Sequence, residues 1–292
     1  MTGTTRAALW MTGAIGSFSA MAVAGREVSL ALDTFEIMMY RSLVGLIIVI
    51  AVLTVRGRWN EVSAARPGTH LIRNICHFTG QNLWFYAVGV IPLAQVFALE
   101  FTSPLWVILL SPLLLGERLT RSRAIAGILG FIGILIVARP SPDTVNLGLV
   151  TAASAAFFFA LVMIITKRLT RKEGIASILF WLTSMQLVLG LLTAGYDLDI
   201  TLPDLTTAPW LVLIGLCGLL AHFCLTNALA VAPATVVTPI DFARLPVIAV
   251  VGMLLYAEPL DPWVFVGAVL IFAGNYYNIR VESRSAKSPV VN

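Results

Sequence analysis

Long apolar runs alternate with short polar separators along the whole chain of 292 residues. A helix needs about 20 mostly apolar residues to cross a hydrocarbon core about 30 Å thick, since it rises about 1.5 Å per residue. Ten runs meet this length, and proline-containing separators favour helix ends between them. The predicted transmembrane helices cover residues 7–24, 34–55, 70–90, 92–115, 122–138, 147–166, 175–195, 208–231, 234–256 and 262–279.

The second half of the chain repeats the first. A shift of 141 positions lays residues 87–139 over 228–280 without a gap, and it aligns Glu117 with Glu258 and Glu100 with Asp241. We therefore expect a first five-helix repeat in residues 1–140, a second in 141–280 and a loose cytoplasmic tail in 281–292. Because five is odd, the second repeat enters the membrane from the opposite side. The predicted fold class is an all-α polytopic membrane protein, with ten transmembrane helices as two inverted five-helix repeats around a central cavity.

Composition and charge agree with this interpretation. The chain is 59% hydrophobic and 12% charged, against roughly 25% charged residues in soluble domains. Fourteen of the Lys and Arg residues fall in loops on one predicted side and two on the other, which places both termini in the cytoplasm. The net charge of +4 is thus a topology signal, and we expect no nucleic-acid partner. The predicted location is the bacterial inner membrane.

Inverted repeats are typical of secondary transporters, which hold substrate near the bilayer midplane between two related halves. No hydrolase elbow, phosphate-binding loop or metalloprotease motif occurs in the sequence, so it indicates no enzyme, no cofactor and no metal site. A remote alternative is an intramembrane enzyme with His77 or His222 as base. Such an enzyme would turn over substrate in detergent, whereas a carrier needs two compartments.

Three stretches carry a family resemblance: residues 91–94 (IPLA), 100–104 (EFTSP) and 116–120 (GERLT). Together with their weaker echo in residues 257–260 (AEPL), they resemble the EamA repeat of the drug/metabolite transporter superfamily. The chain is most similar to YddG-type amino-acid exporters. The resemblance implies alternating-access export of amino acids, neutral or aromatic, by a monomer or weak dimer in the lipid bilayer, with protons as candidate coupling ions. The alternative cargo is a vitamin, a nucleotide-derived metabolite or a cationic drug.

Polar residues at membrane depth are the candidates for the site, since each needs a partner or a wet cavity. His77 and Gln81 share one helix face with Arg73, which we expect to reach for the interface, and Asn82 lies beside them. His222 aligns with Gln81 under the repeat, and Asn227 follows it on the same predicted helix. Two interpretations fit these residues: a polar wall of the translocation path, or a hydrogen-bonded seam between helices.

Four ionisable residues form a second candidate group. Arg41 and Glu100 lie at matching depths and could pair, and Asp241 and Arg244 stand three positions apart on one helix. They are either buried ion pairs or groups that gate the path and bind a substrate amine. Apolar side chains on the same spans could line a pocket or simply pack: Phe101, Trp106, Phe159 and Met163.

Glycines recur at Gly127, Gly130 and Gly133 on the fifth predicted span. Small residues at this spacing let helices approach closely. We interpret the stripe as packing within the chain, with dimerisation as the alternative.

Overall fold

The computed structural model describes residues 3–115, 121–139, 146–169, 172–196, 198–231, 240–241 and 243–285. Within these residues it contains eleven α-helices and a short 3₁₀ turn at Trp59–Glu61. The helices are α1 (Gly3–Val28), α2 (Thr34–Val55), α3 (Pro67–Val90), α4 (Leu93–Glu100), α5 (Ser103–Leu115), α6 (Arg121–Ala138), α7 (Leu147–Leu169), α8 (Ile175–Ala194), α9 (Ala208–Val231), α10 (Arg244–Tyr256) and α11 (Pro262–Ser285).

Five helices of the described part are long and apolar enough to cross a membrane: they lie in α1, α2, α7, α8 and α9. The predicted third span forms the continuous helix α3 of 24 residues, but its polar side chains lower its hydropathy. The fourth span is divided into α4 and α5, and only the latter part of the ninth is described, as α10. The outer faces expose large apolar side chains, such as Ile128 (61% exposed), Leu192 (68%) and Val269 (65%), as lipid contact requires.

The break between α4 and α5 falls at Phe101 and Thr102. Pro104 lacks the amide proton that would otherwise bond to the carbonyl of Glu100. The hydroxyl of Ser103 donates to that carbonyl at 2.6 Å instead, and the hydroxyl of Thr102 donates to the carbonyl of Leu99 at 2.7 Å. Side chains thus satisfy the backbone where the helix is interrupted inside an apolar environment.

Helix ends repeat at the offset of 141 found in the sequence. The segment α5 (Ser103–Leu115) corresponds residue for residue to α10 (Arg244–Tyr256), and α3 (Pro67–Val90) to α9 (Ala208–Val231). The same offset links the ends of α1 and α7 and the starts of α2 and α8 and of α6 and α11. The duplication therefore extends from the side-chain pattern to the backbone.

Four helix pairs provide the main packing: α1 with α9, α3 with α7, α2 with α8, and α6 with α11. This pairing is symmetric under the repeat. The α1–α9 pair corresponds to the α7–α3 pair, and the α2–α8 and α6–α11 pairs each join two equivalent helices. In the α6–α11 pair, a Cβ atom on Gly133 would lie 2.8 Å from the carbonyl oxygen of Gly267, so both backbones need glycine there. Leu105 lies against Gly130, whereas no atom lies within 4 Å of a would-be Cβ on Gly127, so packing within the chain is confirmed for Gly130 and Gly133 only.

Candidate functional site

Helix α3 carries a stripe of buried polar residues along one face. His70, Arg73, His77 and Gln81 follow each other at intervals of three or four residues and are each at most 7% exposed. Arg73 does not extend to the interface as expected. Its Nε donates to the hydroxyl of Thr166 at 2.7 Å, because α7 packs against α3 and encloses it.

Arg41 on α2 turns toward this stripe. Its Nη1 donates to Oε1 of Gln81 at 2.6 Å, and its side chain is 8% exposed. The predicted pairing of Arg41 with Glu100 is wrong. Matching depth does not fix the direction in which a helix points its side chain, and α2 directs Arg41 toward α3 and α9, away from Glu100.

Two imidazoles complete the group that we call the central polar layer: Arg41, His77, Gln81, Gln186 and His222. Gln186 on α8 hydrogen-bonds Nδ1 of His77, and the rings of His77 and His222 lie 6.5 Å apart. The layer therefore joins α2, α3, α8 and α9. Gln186 is the one amide side chain in the apolar helix α8, which is the signal that the sequence offers for it.

Aromatic rings border the layer on two sides. Phe18 on α1 meets the His222 ring edge to face at 5.9 Å, and Phe159 on α7 lies 6.4 Å from the His77 ring. Phe18 and Phe159 are equivalent under the repeat. The structure thus places one phenylalanine from each half beside one histidine.

Glu100, Asp241 and Arg244 form a separate carboxylate cluster. Arg244 Nη2 lies 3.2 Å from Glu100 Oε1 and 3.3 Å from Asp241 Oδ2, which confirms the predicted Asp241–Arg244 pair. Trp84 donates its indole proton to the other oxygen of Glu100 at 2.9 Å. The Arg244 guanidinium also lies 5.0 Å from the centre of the Phe101 ring, within cation–π range.

Four predicted site residues lie outside both groups. Met163 is 54% exposed on the outer side of α7, so it faces away from the layer. Asn82 and Asn227 each donate to the carbonyl four residues earlier, at 2.8 Å. Trp106 packs edge to face on Phe157 at 5.4 Å. The rotation of each helix about its own axis decides which side chains face the layer. Sequence periodicity alone defines that rotation only loosely, which explains why these residues lie elsewhere.

A polar closure that sequence reasoning missed lies at the end of α3 near Val88. Arg26 of α1 pairs with Glu258, which follows α10, and donates to the carbonyl oxygens of Val88 and Ile91. Glu258 also accepts from the amide of Leu93 at 2.9 Å. These contacts, the Arg26 closure, tie α1, the α3–α4 turn and α10 together.

The opposite end of α3 carries a second closure. His70 Nε2 lies 2.6 Å from Glu173 Oε2 before α8, and both side chains are buried. Ser177 donates to the same carboxylate oxygen at 3.0 Å. Eighteen residues separate His70 from Val88, which is about 27 Å along a helix. His77 and Gln81 lie between the two closures.

The cavities are small in this conformation. A vestibule of about 400 Å³ opens at the Arg26 closure, lined by Arg26, Tyr256 and Glu258. The pocket at the central polar layer holds only about 20 Å³, close to the space of a single water. Between the described residues of the layer, the expected central cavity is therefore not open. In the described part of the chain, no three His, Cys, Asp or Glu side chains converge as metal ligands would.

Comparison with known proteins identifies the architecture. A curated relative from Rickettsia bellii, an S-adenosylmethionine uptake transporter, is 26% identical over 96% of both chains. A riboflavin transporter from Brucella anthropi is 32% identical over 81% of this chain and 84% of its own, and one from Vibrio cholerae is 27% identical over 96% and 95%.

A solved crystal structure is similar at a TM-score of 0.64, with 18% identity over 97% of this chain and 99% of that chain, which indicates a shared fold. The model of the EamA-like transporter family matches twice, at residues 5–139 and 146–280. With both halves of the chain matched, the protein belongs to the EamA-like transporter family and is a multi-pass membrane transporter.

Proposed function

We propose that the protein is a secondary transporter that carries a vitamin or a nucleotide-derived metabolite across the bacterial inner membrane by alternating access. The observation that carries this proposal is the central polar layer, which lies midway between two polar closures. A carrier needs a solute-binding group at that depth and a seal on each side.

The names of the relatives favour this cargo. Both kinds, the S-adenosylmethionine and the riboflavin transporters, handle molecules built on an aromatic heterocycle. This supports the vitamin or metabolite alternative over the amino-acid export that the resemblance to YddG-type proteins implied. Phe18 and Phe159 beside the histidines would offer such a heterocycle aromatic neighbours once the site opens.

Alternating access would use two inverted repeats, residues 1–140 and 141–280. The repeated helix ends and the odd number of spans in each half support the inversion. With the excess of Lys and Arg on one side, both termini are cytoplasmic and the Arg26 closure faces outward. The central cavity would then form when one closure opens. No enzymatic step is needed for this function.

Uptake into proteoliposomes tests the proposal. Purified protein is assayed with labelled riboflavin, S-adenosylmethionine and a panel of amino acids, with and without a pH gradient. We expect saturable uptake of a heterocyclic substrate. Exclusive exchange of amino acids would overturn the cargo, and chemical turnover of substrate in detergent would favour the intramembrane enzyme.

Two site variants and a matched control locate the activity. His77→Ala and Gln81→Ala are expected to reduce uptake, because both side chains belong to the central polar layer. Met163→Ala should leave it unchanged, because that side chain faces outward. Uptake that survives both layer variants would reduce the layer to a seam between helices.

A further inference from the structure

Arg41 is a buried cation that pairs with no carboxylate among the residues that the structure describes. Its one hydrogen bond to an oxygen goes from Nη1 to the neutral amide of Gln81. Among the described residues, the carboxylates at comparable depth, Glu100 and Asp241, both pair with Arg244. The charge of Arg41 is therefore uncompensated within that part of the protein.

The described neighbours of Arg41 do not supply negative charge either. Arg73, one turn before His77 on α3, donates to Thr166 and Asn74, which are both neutral. The other members of the central polar layer are the imidazoles and amides of His77, His222 and Gln186. A buried cation is strongly disfavoured in a membrane unless something neutralises it. The layer is thus suited to an anion.

The free edge of the guanidinium faces a space kept open by glycine. With Nη1 bound to Gln81, the Nε and Nη2 protons remain, and these form the parallel pair that grips a carboxylate or phosphate with two hydrogen bonds. A Cβ atom on Gly218 would lie 3.2 Å from Nη2 and 3.4 Å from Nε. Arg41, Gly218 and His222 line the pocket of about 20 Å³, which must widen to admit a ligand.

We infer that Arg41 binds an anionic oxygen group of the transported molecule, a carboxylate or a phosphate, through its Nε and Nη2 protons. The inference rests on the proposed function and narrows it. Of the two kinds of substrate suggested by the relatives, S-adenosylmethionine carries a carboxylate and riboflavin carries no ionised group at neutral pH. Arg41 therefore favours the nucleotide-derived, carboxylate-bearing class.

Matched pairs of ligands test the inference directly. Binding to purified wild-type protein is measured for S-adenosylmethionine against its decarboxylated form, and for riboflavin 5′-phosphate against riboflavin. In each pair, we call the compound that carries the carboxylate or phosphate group the anionic member. We expect it to bind about tenfold more tightly, the effect of one charged hydrogen-bonded contact. The pair that shows the preference identifies the group as carboxylate or phosphate.

Two variants assign the preference to Arg41. Arg41→Gln should bring the anionic member down to the affinity of its partner, while Arg41→Lys should keep part of the preference. Gly218→Ala leaves the charge in place but crowds the Nε and Nη2 edge, so it should weaken anion binding even if Arg41→Gln folds poorly. Arg58→Gln, at an exposed surface pair with Glu61, is the control that should change nothing.

The outcomes separate this inference from the proposed function. Equal affinity within both pairs for the wild-type protein, or an unchanged preference in Arg41→Gln and Gly218→Ala, would overturn the role of Arg41 alone. Absence of binding to every member by folded wild-type protein would overturn the proposed cargo and this inference with it.

Discussion

Many helix boundaries coincide between the two halves of the protein, but several polar side chains have no polar counterpart in the other half. Under the offset of 141, Arg41 corresponds to Leu182 and Gln186 to Gly45, while His77 corresponds to Gly218. The helices that carry these residues nevertheless begin at equivalent positions. The duplication thus accounts for the shared helix frame, whereas the polar residues of the central layer differ between the two halves. In the proposed alternating-access cycle, a symmetric frame around an asymmetric layer would let the halves exchange conformations while the ligand keeps one orientation.

The carboxylate cluster shows the same inequality at a single site. Glu100 and Asp241 are equivalent under the repeat, yet only the second half supplies a cation, because Arg244 corresponds to Ser103. One guanidinium therefore neutralises charge from both halves. Replacing residues of one half by their counterparts in the other measures how far the equivalence extends.

The largest effect is expected from Arg244→Ser, which copies the residue of the first half. It leaves two largely buried carboxylates without a cation, a change that costs about 3–5 kcal/mol for a broken buried pair. The thermal unfolding midpoint of detergent-solubilised protein should fall sharply. Adding Glu100→Gln and Asp241→Asn should restore much of it; a midpoint equal to wild type in the single variant would contradict this account.

Weakening the Arg26 closure should come next. Glu258→Gln removes a partly exposed ionic hydrogen bond of about 1.5 kcal/mol, equivalent to roughly tenfold in an opening equilibrium. A cysteine in place of Ala22, one turn deeper than Arg26 and 0% exposed, should then react about tenfold faster with an impermeant maleimide in a cysteine-free background.

Asp261→Asn is the control for that experiment. It breaks the pair with Arg139, which is 49% exposed and therefore contributes little. Equal labelling rates in the Glu258 and Asp261 variants would show that the Arg26 closure does not seal the protein.

Two glycines on α6 should respond differently to the same methyl group. Gly133→Ala pushes against the carbonyl of Gly267 and should destabilise by about 1–3 kcal/mol. Gly127 has no atom within 4 Å of its would-be Cβ, so Gly127→Ala should be neutral or stabilise by up to about 1 kcal/mol. Thermal unfolding of the two variants side by side measures the difference, and similar midpoints would argue against the α6–α11 seam.

The smallest effect concerns the residue just before Glu258. Ala257 adopts a left-handed conformation with φ of 52°, whereas the corresponding residue in the sequence of the first half is Gly116. Ala257→Gly should relieve about 1 kcal/mol of backbone strain and raise the unfolding midpoint. Ala243→Gly, at a position with φ of −62°, should not raise it. A lower unfolding midpoint for Ala257→Gly would contradict the predicted backbone strain at Ala257.

Periodicity and repetition predicted the helices and their duplication well, because both depend on patterns local to the chain. The Asp241–Arg244 pair followed from helix spacing for the same reason. Pairing between helices did not: Arg41 binds Gln81, and Arg26 binds Glu258, which lies 232 positions away. Such contacts depend on helix rotation and packing, which a single sequence constrains weakly.

Parts of both closures belong to one continuous helix. Near its start α3 holds His70 against Glu173, and near its end it offers the carbonyl of Val88 to Arg26. A stiff rod of about 27 Å that pivots near His77 moves its tips in opposite directions. Tilting α3 in one direction would loosen the contact with Arg26 and tighten the contact with Glu173, and tilting it back would do the reverse. A single rigid-body motion would therefore prevent both ends of the path from being open at the same time.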